Sequence, residues 1–456
     1  MAALRLDPFY LIVDDVDWLS RLLPQGVKLV QLRVKDRAEP DVRAQIAKAR
    51  DMCARHGAQL VVNDYWRLAI DEGCDFVHLG QGDLDLADIP ALRRAGVRLG
   101  VSTHDEAELD RALSIAADYV AFGPIYPTLL KQMAFAPQGL ARIGAWKAAI
   151  GETPLVAIGG LTPERAVAAL AAGADCACVV TDILRNSEPE ARTQEWITAT
   201  QPWRDGAGFF EPDYAGARVC PSANHGERLR PMSSLVLHYT GMPTAESALA
   251  LLCNPRSRVS AHYFVEEDGR VLQLVPESRC AWHAGKSFWA GETDMNSASI
   301  GIEIVHPGYD DPRPYPAAQI EATAALASDI CRRHAIPPER VLAHSDIAPD
   351  RKRDPGEFFP WEELARHGVG RVVDENLGAG ATTIALGDEG AKVASLQRDL
   401  AAYGYGVEQT GLYDAQTVQV VEAFQRHFRR AKVDGLADGE TRVALARLVA
   451  ALGERV

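Results

Sequence analysis

The 456-residue sequence lacks several features that mark common classes of protein. It contains 48 lysine and arginine residues against 62 aspartate and glutamate residues, and this net charge of −14 argues against general binding to nucleic acid or anionic membranes. No segment approaches the roughly 18 consecutive apolar residues of a membrane-spanning helix. The opening segment "MAALRLDPFYLIVDD" has no basic leader followed by an apolar core and a cleavage site, so we expect a cytoplasmic protein.

Cysteine motifs are also missing. The eight cysteines are scattered and no two of them form a CxxC pair, which excludes the usual cysteine-based zinc and redox motifs. Several lie within apolar segments, where a thiol behaves as a small hydrophobic group, so we interpret them as reduced thiols. The chain is too long for a single hydrophobic core of usual size, and we therefore expect roughly two to four domains.

Residues 8–200 alternate short apolar segments with alanine-, arginine- and glutamate-rich segments of helical periodicity. The apolar segments are "FYLIVDD", "KLVQLRV", "AQLVVND", "FVHLG", "VRLGVST", "DYVAFGPI", "TPLVAIGG" and "ADCACVVTDI". Eight strand-then-helix units predict an α/β fold of the (β/α)₈ kind, the TIM barrel, because continuous apolar strands suit a parallel sheet covered by helices. An open doubly wound sheet is the alternative.

Polar and charged residues recur at the carboxyl ends of these predicted strands. They are Gln31, Arg33, Lys35, Asn63, Asp64, Asp83, Ser102, Thr128, Lys131 and the pair Gly159-Gly160. In a barrel these ends meet at one mouth and form a cationic pocket with two carboxylates. Arginine and lysine suit phosphate oxygens, carboxylates suit Mg²⁺, and a glycine pair lets backbone N–H groups approach a second phosphate. We predict a diphosphate substrate and a monophosphate substrate, although each residue taken alone also fits a surface or turn position.

Residues 8–200 resemble thiamine phosphate synthase. The matching segments are "QLRVKD", "VVNDYWRLA", "VHLGQGDL", "LGVSTH", "FGPIYPTLLK", "APQGL" and "AIGGLTPE". In that family, aminopyrimidine methyl diphosphate loses pyrophosphate, and the nitrogen of thiazole phosphate attacks the pyrimidine cation that remains. The two carboxylates and Lys131 favour this family over a sister family, the thiazole tautomerase, which shares the barrel.

The resemblance implies a role for each strand-end residue. It implies that the diphosphate is bound by Arg33, Lys35, Asn63, Ser102 and Lys131, with Gln31 as a further substrate-binding residue. It implies Mg²⁺ at Asp64 and Asp83, and thiazole phosphate at Thr128, Gly160, Val180 and Thr181. Thr181 stands where a serine is expected in many relatives, and this replacement keeps a hydroxyl group.

A boundary near Asp205 separates the barrel from a segment rich in glycine, proline, asparagine and arginine. We assign residues 1–204 to the barrel and residues 205–372 to a second domain. In the second domain "LVLHYT" and "IGIEIV" alternate as strands do, "EEDG" marks a hairpin turn, and "AAQIEATAALASDICRRHAI" is helical. These patterns predict one mixed sheet with packed helices.

Two histidines and an aspartate of this domain are the ligand types of a catalytic zinc site. His238 lies within an apolar strand, and His344 and Asp354 lie ten residues apart in a predicted loop. Glu303 lies within the apolar segment "GIEIV", where burial would raise its pKa toward the range of a general base. The residue types are compatible with zinc, but their spacing lacks a tight signature of the HExxH kind.

Residues 210–370 resemble the zinc-dependent N-acetylmuramoyl-L-alanine amidases of type 2, whose fold is shared with peptidoglycan recognition proteins. The matching segments are "LHYTGM", "VSAHYFV", "WHAG", "SIGIEIV" and "HSDIAPDRKRDPG". The resemblance implies zinc at His238, His344 and Asp354, activation of the attacking water by Glu303, and stabilisation of the oxyanion by Lys352. The bond cleaved would be the amide between the lactyl group of N-acetylmuramic acid and L-alanine.

The remaining polar residues of this domain receive other interpretations. His283, in "WHAG", is predicted to line the substrate groove. His262 fits either the groove or a packed strand position, and His306 is interpreted as structural. Asp346 and Asp350 are interpreted as loop-forming, because aspartate readily accepts hydrogen bonds from nearby backbone N–H groups.

Residues 386–456 contain two similar units, "GLYDAQTVQVVEAFQ" and "DGLADGETRVALARL". Each places aspartate and threonine before an apolar helix, as helix N-caps do, so a small helical bundle without chemistry is one interpretation. The pattern also resembles the peptidoglycan-binding domain of type 1. That resemblance implies a module that tethers the enzyme to glycan and raises the local substrate concentration.

Together these predictions describe a bifunctional enzyme, a thiamine phosphate synthase joined to a zinc amidase with a wall-binding module. Its partners would be peptidoglycan or muropeptides, aminopyrimidine diphosphate and thiazole phosphate. The alternative is that one half is active and the other is a passenger or a ligand-binding module, either a tautomerase-like barrel or a non-catalytic recognition domain. A periplasmic or cell-wall role for the second half is the alternative to the cytoplasmic location.

Overall fold

Eight of the apolar segments form the strands of a closed parallel barrel within the compact unit Met1–Phe209, all of them in described residues. The strands are β1 (Phe9–Val13), β2 (Leu29–Leu32), β3 (Gln59–Asn63), β4 (Phe76–Leu79), β5 (Arg98–Thr103), β6 (Tyr119–Phe122), β7 (Leu155–Ile158) and β8 (Cys176–Val179). Strand β1 pairs with both β2 and β8, so the predicted TIM barrel is confirmed and the open sheet is wrong. The structure is a computed structural model that describes residues 4–128, 136–204, 210–311, 313–373 and 382–453.

Helices cover the outside of the barrel. They are α1 (Asp17–Leu22), α2 (Glu39–His56), α3 (Trp66–Asp71), α4 (Gln81–Leu84), α5 (Ile89–Arg94), α6 (Glu106–Ser114), α7 (Leu140–Ile150), α8 (Pro163–Ala171), α9 (Thr181–Leu184) and α10 (Pro189–Arg204), with a 3₁₀ turn at Leu23–Gln25. Helix α6 begins where Asp105 accepts a 2.9 Å hydrogen bond from the N–H of Glu108. Helix α10 packs on β1, where the rings of Trp196 and Phe9 stack with centroids 5.5 Å apart. The predicted boundary at Asp205 lies outside the described residues.

The second compact unit, Phe210–Val456, contains a mixed sheet of six strands among its described residues. The strands of this unit are β9 (Ala217–Val219), β10 (His225–Glu227), β11 (Ser234–Tyr239), β12 (Tyr263–Val265), β13 (Val271–Gln273), β14 (Arg279–Ala281), β15 (Ser299–Ile304) and β16 (Val341–Ala343). The order across the sheet is β16-β11-β15-β12-β13-β9, and β10 and β14 form a separate ribbon. Because β11 runs parallel to β15 and β16 while β12 and β13 are antiparallel, the predicted mixed sheet is confirmed.

Helices pack on this sheet and fill the core beneath it. They are α11 (Ala245–Cys253), α12 (Met295–Ala298), α13 (Ala317–His334), α14 (His344–Ile347) and α15 (Trp361–Arg366), with a 3₁₀ turn at Pro338–Arg340. The long helix α13 contacts β11 and β12 through a buried apolar face that includes Ile320, Leu326 and Ile330. Helix α13 therefore supports the part of the sheet whose strands β11 and β15 carry His238 and Glu303.

The last part of the second unit, residues 382–453, is a helical C-terminal module with α16 (Ala391–Tyr403), α17 (Ala415–Phe428) and α18 (Gly439–Gly453). The predicted N-caps are confirmed: Asp414 accepts a 2.8 Å hydrogen bond from the N–H of Thr417, and Asp438 accepts one of 3.0 Å from Thr441. Among the described helices of the whole chain, none is both long enough and apolar enough to cross a membrane.

The C-terminal module shares an apolar cluster with the sheet part of the same unit. The ring of Trp289 lies between Tyr403 and Tyr405, with centroid distances of 5.9 Å and 4.9 Å. Gly404 lies between these tyrosines, where a Cβ atom would approach the Trp289 ring to 2.6 Å. The absence of a side chain at Gly404 therefore permits the close approach of the module.

Candidate active sites

The mouth of the barrel contains two adjoining cavities, of about 370 Å³ and about 420 Å³. From the predicted set, the first collects Gln31, Arg33, Lys35, Asn63, Asp64, Asp83 and Ser102. The second shares Arg33 and Ser102 with the first and adds Thr128, Gly160, Val180 and Thr181. Lys131 lies outside the described residues.

The first cavity combines cations with two neighbouring carboxylates. The ammonium group of Lys35 forms an ion pair with Asp64. Burial raises the pKa of Asp83, and the negative charge of Asp64 beside it raises that pKa further. Because two carboxylates that share one space repel each other, a divalent cation between them would remove the repulsion. The donor set therefore fits Mg²⁺.

Glycine is required at the end of β7 for steric reasons. Gly160 has φ of +67°, and a Cβ atom there would lie 2.5 Å from the carbonyl oxygen of Pro127. Gly159, at φ +102°, packs against Pro124 in the same way, with a Cβ distance of 2.6 Å. No side chain therefore separates this backbone from the second cavity, as a close approach to phosphate requires.

Three buried side chains of the second unit converge on one point: His238 of β11, His344 at the start of α14, and Asp354. The two Nδ1 atoms lie 2.9 Å apart. Asp354 Oδ2 lies 3.1 Å from His238 Nδ1 and 2.9 Å from His344 Nδ1. The structure therefore brings the three predicted metal ligands together.

The outer ring nitrogens fix which histidine atoms carry protons. His344 Nε2 lies 3.2 Å from the carbonyl oxygen of Ala284, which can only accept, so Nε2 holds the proton. Ser299 donates its hydroxyl proton to a carbonyl 2.5 Å away, so its oxygen accepts from Nε2 of His283 at 3.3 Å. Nδ1 of a neutral His283 is then an acceptor, and Nε2 of His238, 3.0 Å away, donates to it.

When both rings are neutral, as metal ligands are, the Nδ1 atoms of His238 and His344 present lone pairs to each other and to the carboxylate. Burial, aided by the neighbouring His344, lowers the pKa of His238 to about 4, so its ring is neutral. Three facing lone pairs repel unless a cation lies among them, so this donor set fits Zn²⁺.

Glu303 lies beside this cluster, because β15 pairs with β11 so that Glu303 is opposite His238. Its Oε2 is buried and has no hydrogen-bond partner among the described residues. Burial raises the pKa of Glu303 well above its ordinary value, and the charge of Asp354 raises it further. Glu303 and Lys352 line a cavity of about 280 Å³ together with His344 and Asp354. A carboxylate with a raised pKa suits general base catalysis.

Three family models match the chain, in this order along the sequence. Residues 9–183 match thiamine monophosphate synthase, residues 228–357 match N-acetylmuramoyl-L-alanine amidase, and residues 389–445 match a peptidoglycan binding domain. The thiamine-phosphate synthase of Rhizobium etli is 62% identical over 201 residues, covering 44% of this chain and 98% of the relative. The chain belongs to the thiamine-phosphate synthase family. The enzyme of Cronobacter sakazakii is 47% identical over 199 residues, covering 44% of this chain and 91% of the relative.

The second unit adds another enzyme domain to this synthase. A solved structure of the N-acetylmuramyl-L-alanine amidase AmiD from E. coli, a complex with an anhydro-muropeptide substrate, is 38% identical to this chain. The match covers 49% of this chain and 91% of that one, with a TM-score of 0.43. The three family matches confirm the three resemblances drawn from the sequence, to the synthase, the amidase and the peptidoglycan-binding domain. The chain combines a transferase domain with a hydrolase domain.

The synthase domain also contains a buried polar network that sequence analysis missed. Gln31 donates to the hydroxyl of Tyr10 at 3.0 Å, and the hydroxyls of Tyr10 and Tyr119 are 3.0 Å apart. His78 bridges Tyr119 and Ser102, with both contacts at 2.8 Å. Burial lowers the pKa of His78 to about 4, so this bridge is neutral. The sequence feature that could have indicated this network is the presence of polar residues inside apolar strands, such as the histidine of "FVHL".

The histidines around the amidase cluster divide into distinct classes. His283 lines the cavity, and its hydrogen bond orients His238. Gly301 makes room for the ring of His283, because a Cβ atom at Gly301 would lie 2.5 Å from that ring. His262 is fully buried and accepts a 3.0 Å hydrogen bond from the N–H of Gly301, so the packed strand position is confirmed. His306 contacts backbone groups at 2.8 Å and 3.1 Å, as a structural residue does.

Asp346 is more than the loop-forming residue expected from the sequence. It caps α14 by accepting a 2.8 Å hydrogen bond from the N–H of Ala343. Its other contacts reach the C-terminal module: Tyr405 donates to it at 2.6 Å, and His427 Nδ1 lies 2.7 Å from it. Asp350, by contrast, is an exposed loop residue. The interpretation of Asp346 as loop chemistry alone is therefore wrong, because its carboxylate is fully buried against a second set of helices.

Proposed function

We propose that the second unit is a zinc-dependent amidase that cleaves the amide between N-acetylmuramic acid and L-alanine in peptidoglycan or muropeptides. The observation that carries the proposal is the convergence of His238, His344 and Asp354 beside the unpaired carboxylate of Glu303. The match of residues 228–357 to the amidase family supports the same reaction. The three ligands would hold a Zn²⁺ that polarises the amide carbonyl and makes water more acidic.

Glu303 acts as the general base in this proposal. Its carboxylate accepts a proton from the water that attacks the amide carbon and delivers it to the departing amino group, so the C–N bond breaks after the C–O bond forms. Lys352, on the wall of the same cavity, stabilises the negative charge that develops on the carbonyl oxygen. His283 is a positioning residue, because its contact with Nε2 of His238 fixes the orientation and tautomer of that ligand. The edge of His283 that lines the cavity contacts the substrate.

Zinc content tests this proposal. The purified full-length protein should retain about one Zn²⁺ per chain after dialysis. Removal of the zinc with a chelator, followed by dialysis into chelator-free buffer that contains Mg²⁺, should abolish the release of peptide from N-acetylmuramoyl-L-alanyl peptides and leave thiamine phosphate formation unchanged. Amidase activity that survives complete removal of zinc would contradict the proposal.

We propose that the first unit joins aminopyrimidine methyl diphosphate to thiazole phosphate and releases pyrophosphate, as the membership in the synthase family supports. Asp64 and Asp83 would hold Mg²⁺, which neutralises charge on the departing pyrophosphate. The residues proposed for the diphosphate side are Gln31, Arg33, Lys35, Asn63, Ser102 and Lys131, and those for the thiazole side are Thr128, Gly160, Val180 and Thr181. Pyrophosphate release that requires both substrates and Mg²⁺ would support this assignment, and turnover unaffected by removal of Mg²⁺ would contradict it.

We propose domain limits of 1–204 for the synthase, 205–372 for the amidase and 386–456 for a peptidoglycan-binding domain. The family match of residues 389–445 supports the last assignment. A Glu303→Gln chain, which should bind substrate without cleaving it, tests that assignment by co-sedimentation with insoluble peptidoglycan. Failure to sediment with the polymer would contradict the wall-binding role.

A further inference from the structure

A cleft of about 460 Å³ lies next to the proposed amidase site. Loop residues 349–354 line one side, and Gln419, Glu422 and Arg426 of helix α17 line the other. Tyr239 and part of the same loop also line the cavity that contains the proposed metal ligands. The C-terminal module therefore contributes a wall to a space that adjoins the site of amide cleavage.

Arg426 is the notable residue of this cleft. It is only 6% exposed, and one of its terminal nitrogens lies 3.1 Å from a carboxylate oxygen of Glu422. Its Nε is buried and has no hydrogen-bond partner among the described residues. A buried guanidinium donor without a partner is costly, so a carboxylate bound in the cleft beside Arg426 would satisfy it.

Most other charged residues that line the cleft already have partners. Arg351 donates to backbone carbonyls at 2.7 Å and 3.1 Å, and the guanidinium of Arg353 lies 4.6 Å from an aromatic ring centroid. Asp354 belongs to the proposed metal site, and Asp350 is exposed to solvent. Lys352 also lines the cleft, but it is assigned above to the oxyanion. Among the described lining residues, Arg426 is the buried cation with an unpartnered donor, at Nε.

Helix α17 is fixed relative to the metal-binding loop by buried contacts. His427 follows Arg426 in sequence, and its Nδ1 lies 2.7 Å from Asp346. Asp346 is two residues from the proposed ligand His344 and also accepts the hydroxyl proton of Tyr405. The position of Arg426 with respect to the reacting bond is consequently set by the fold, without dependence on a flexible tether.

The two adjoining spaces differ in chemical character. The wall of the cavity at the metal ligands includes Met242, Leu251, Leu252, Val259 and Trp282. Apolar and aromatic walls suit the faces and acetyl groups of a neutral sugar. The scissile amide joins such a sugar to a peptide, and a peptide stem carries free carboxylates. Charge complementarity therefore favours the peptide in the cleft that contains Arg426.

We propose that this cleft is a subsite for one carboxylate of the stem peptide, the free α-carboxylate of its D-glutamate, and that Arg426 supplies its cation. The proposal rests on the amidase function proposed above. It makes α17 part of the substrate-binding groove, so that the C-terminal module selects the peptide in addition to any binding of polymer.

The test compares two substrates that differ in one group. In N-acetylmuramoyl-L-alanyl-D-glutamate, the α-carboxyl group of the glutamate is a free carboxylate. In the D-isoglutamine counterpart, the same group is a neutral carboxamide. The wild-type zinc enzyme should show a KM for the carboxylate substrate lower by about tenfold, as a charge-assisted hydrogen bond provides. Arg426→Gln should remove this preference. Arg398→Gln, on an exposed position of α16, is the matched control and should keep it.

Because Arg426 is buried, Gln419 provides a second pair of variants at a half-buried position of the same cleft. Gln419→Glu should raise KM for the carboxylate substrate, and Gln419→Lys should lower it, with little change for the carboxamide. Equal effects on both substrates, or no preference in the wild-type enzyme, would overturn the proposal.

Binding measurements separate this proposal from the proposed amidase reaction. In a Glu303→Gln chain, calorimetry should give a lower Kd for the carboxylate compound than for the carboxamide. Adding Gln419→Glu should remove that difference. A preserved preference in a chain without amidase activity would support the subsite while contradicting the proposed reaction. Equal Kd values would overturn the subsite whatever the activity.

Discussion

The mouth of the barrel and the proposed metal site of the amidase domain are assembled in different ways. The barrel mouth draws polar groups from the ends of several strands, including Gln31 of β2, Asn63 of β3 and Ser102 of β5. The amidase cluster instead uses one pair of adjacent strands, which carry His238 and Glu303, and the segment from His344, at the start of α14, to Asp354. We expect the site that is spread over many elements to tolerate the loss of one contributor better than the site that is concentrated in three.

The two sites also differ in their access to solvent. The side chain of Lys35 in the barrel mouth is 46% exposed, whereas those of His238 and His344 are 1% and 3% exposed. Exposed charges are screened by solvent, so each contributes to binding nearly independently of the others. Buried donors interact strongly, so the loss of one changes the contribution of the rest. We therefore expect abrupt loss of function from single changes in the amidase cluster and graded loss in the barrel.

The largest effect is expected from His344→Ala. Removal of one of three ligands should release the tightly bound zinc and abolish amide hydrolysis, whereas thiamine phosphate formation should be unchanged. Zinc content and both activities measured on one preparation check this outcome. His367→Ala, at an exposed position after α15, is the matched control. Loss of both activities in His344→Ala would contradict the independence of the two sites.

Glu303→Gln should have the next largest effect. The amide keeps the shape of the side chain but cannot accept the proton of water, so kcat should fall by about 10²–10⁴-fold with zinc retained. Steady-state kinetics and metal analysis of the same sample measure this. Glu321→Gln, on the exposed side of α13, should retain full activity. An unchanged kcat in Glu303→Gln would exclude its role as general base.

A smaller effect is expected from Lys35→Gln in the barrel. Arg33 remains in the same cavity, so KM for the diphosphate substrate should rise only about tenfold. Initial rates of pyrophosphate release at varied substrate concentration give this value. Lys48→Gln provides the control, because Lys48 lies on the outer helix α2 and pairs with Asp17. Complete loss of synthase activity in Lys35→Gln would show that the barrel site is no more tolerant than the amidase site.

The smallest effect concerns stability rather than activity. Burial lowers the pKa of His78 from 6.5 to about 4, so the unfolded chain binds a proton more readily than the folded one. The stability contributed by neutral His78 is therefore present above pH 6.5 and is lost as the pH falls towards 4. The unfolding midpoint of the wild type should exceed that of His78→Gln by more at about pH 7 than at about pH 4.5.

The exposed His56, at the end of α2, provides the control for that measurement. His56→Gln should shift the midpoint equally at both pH values, because the side chain of His56 is exposed to solvent in the folded chain. A difference for His78→Gln that does not vary with pH would contradict the buried neutral state.

Strand periodicity predicted the folds because the apolar residues of each strand must be buried, and the pattern shows which faces of the strand are apolar. The barrel and the mixed sheet follow from local patterns such as "TPLVAIGG" and "IGIEIV". Strand ends likewise predicted the residues of the barrel mouth, apart from Lys131, which lies outside the described residues. In these cases the geometry of the barrel is sufficient, because residues at the carboxyl ends of its strands all lie at the same mouth.

The contacts that sequence analysis missed join residues that are far apart in the sequence. No periodic pattern predicts which of these residues meet. Tyr10 and Tyr119 are 109 residues apart, and Asp346 and His427 are 81 residues apart. A buried aspartate and a loop aspartate look the same in sequence, since both carry a short acidic side chain near a turn. Only the packing of α17 against α14 decides which kind Asp346 is.

The buried carboxylate of Asp346 has a consequence for where this chain can be cut. Ending the chain after Val373 would remove both Tyr405 and His427, and it would leave Asp346 with an uncompensated charge. The same cut would uncover the ring of Trp289. We therefore expect a fragment that ends after Val373 to be less stable than residues 210–456, so cloning should keep the catalytic and helical parts together.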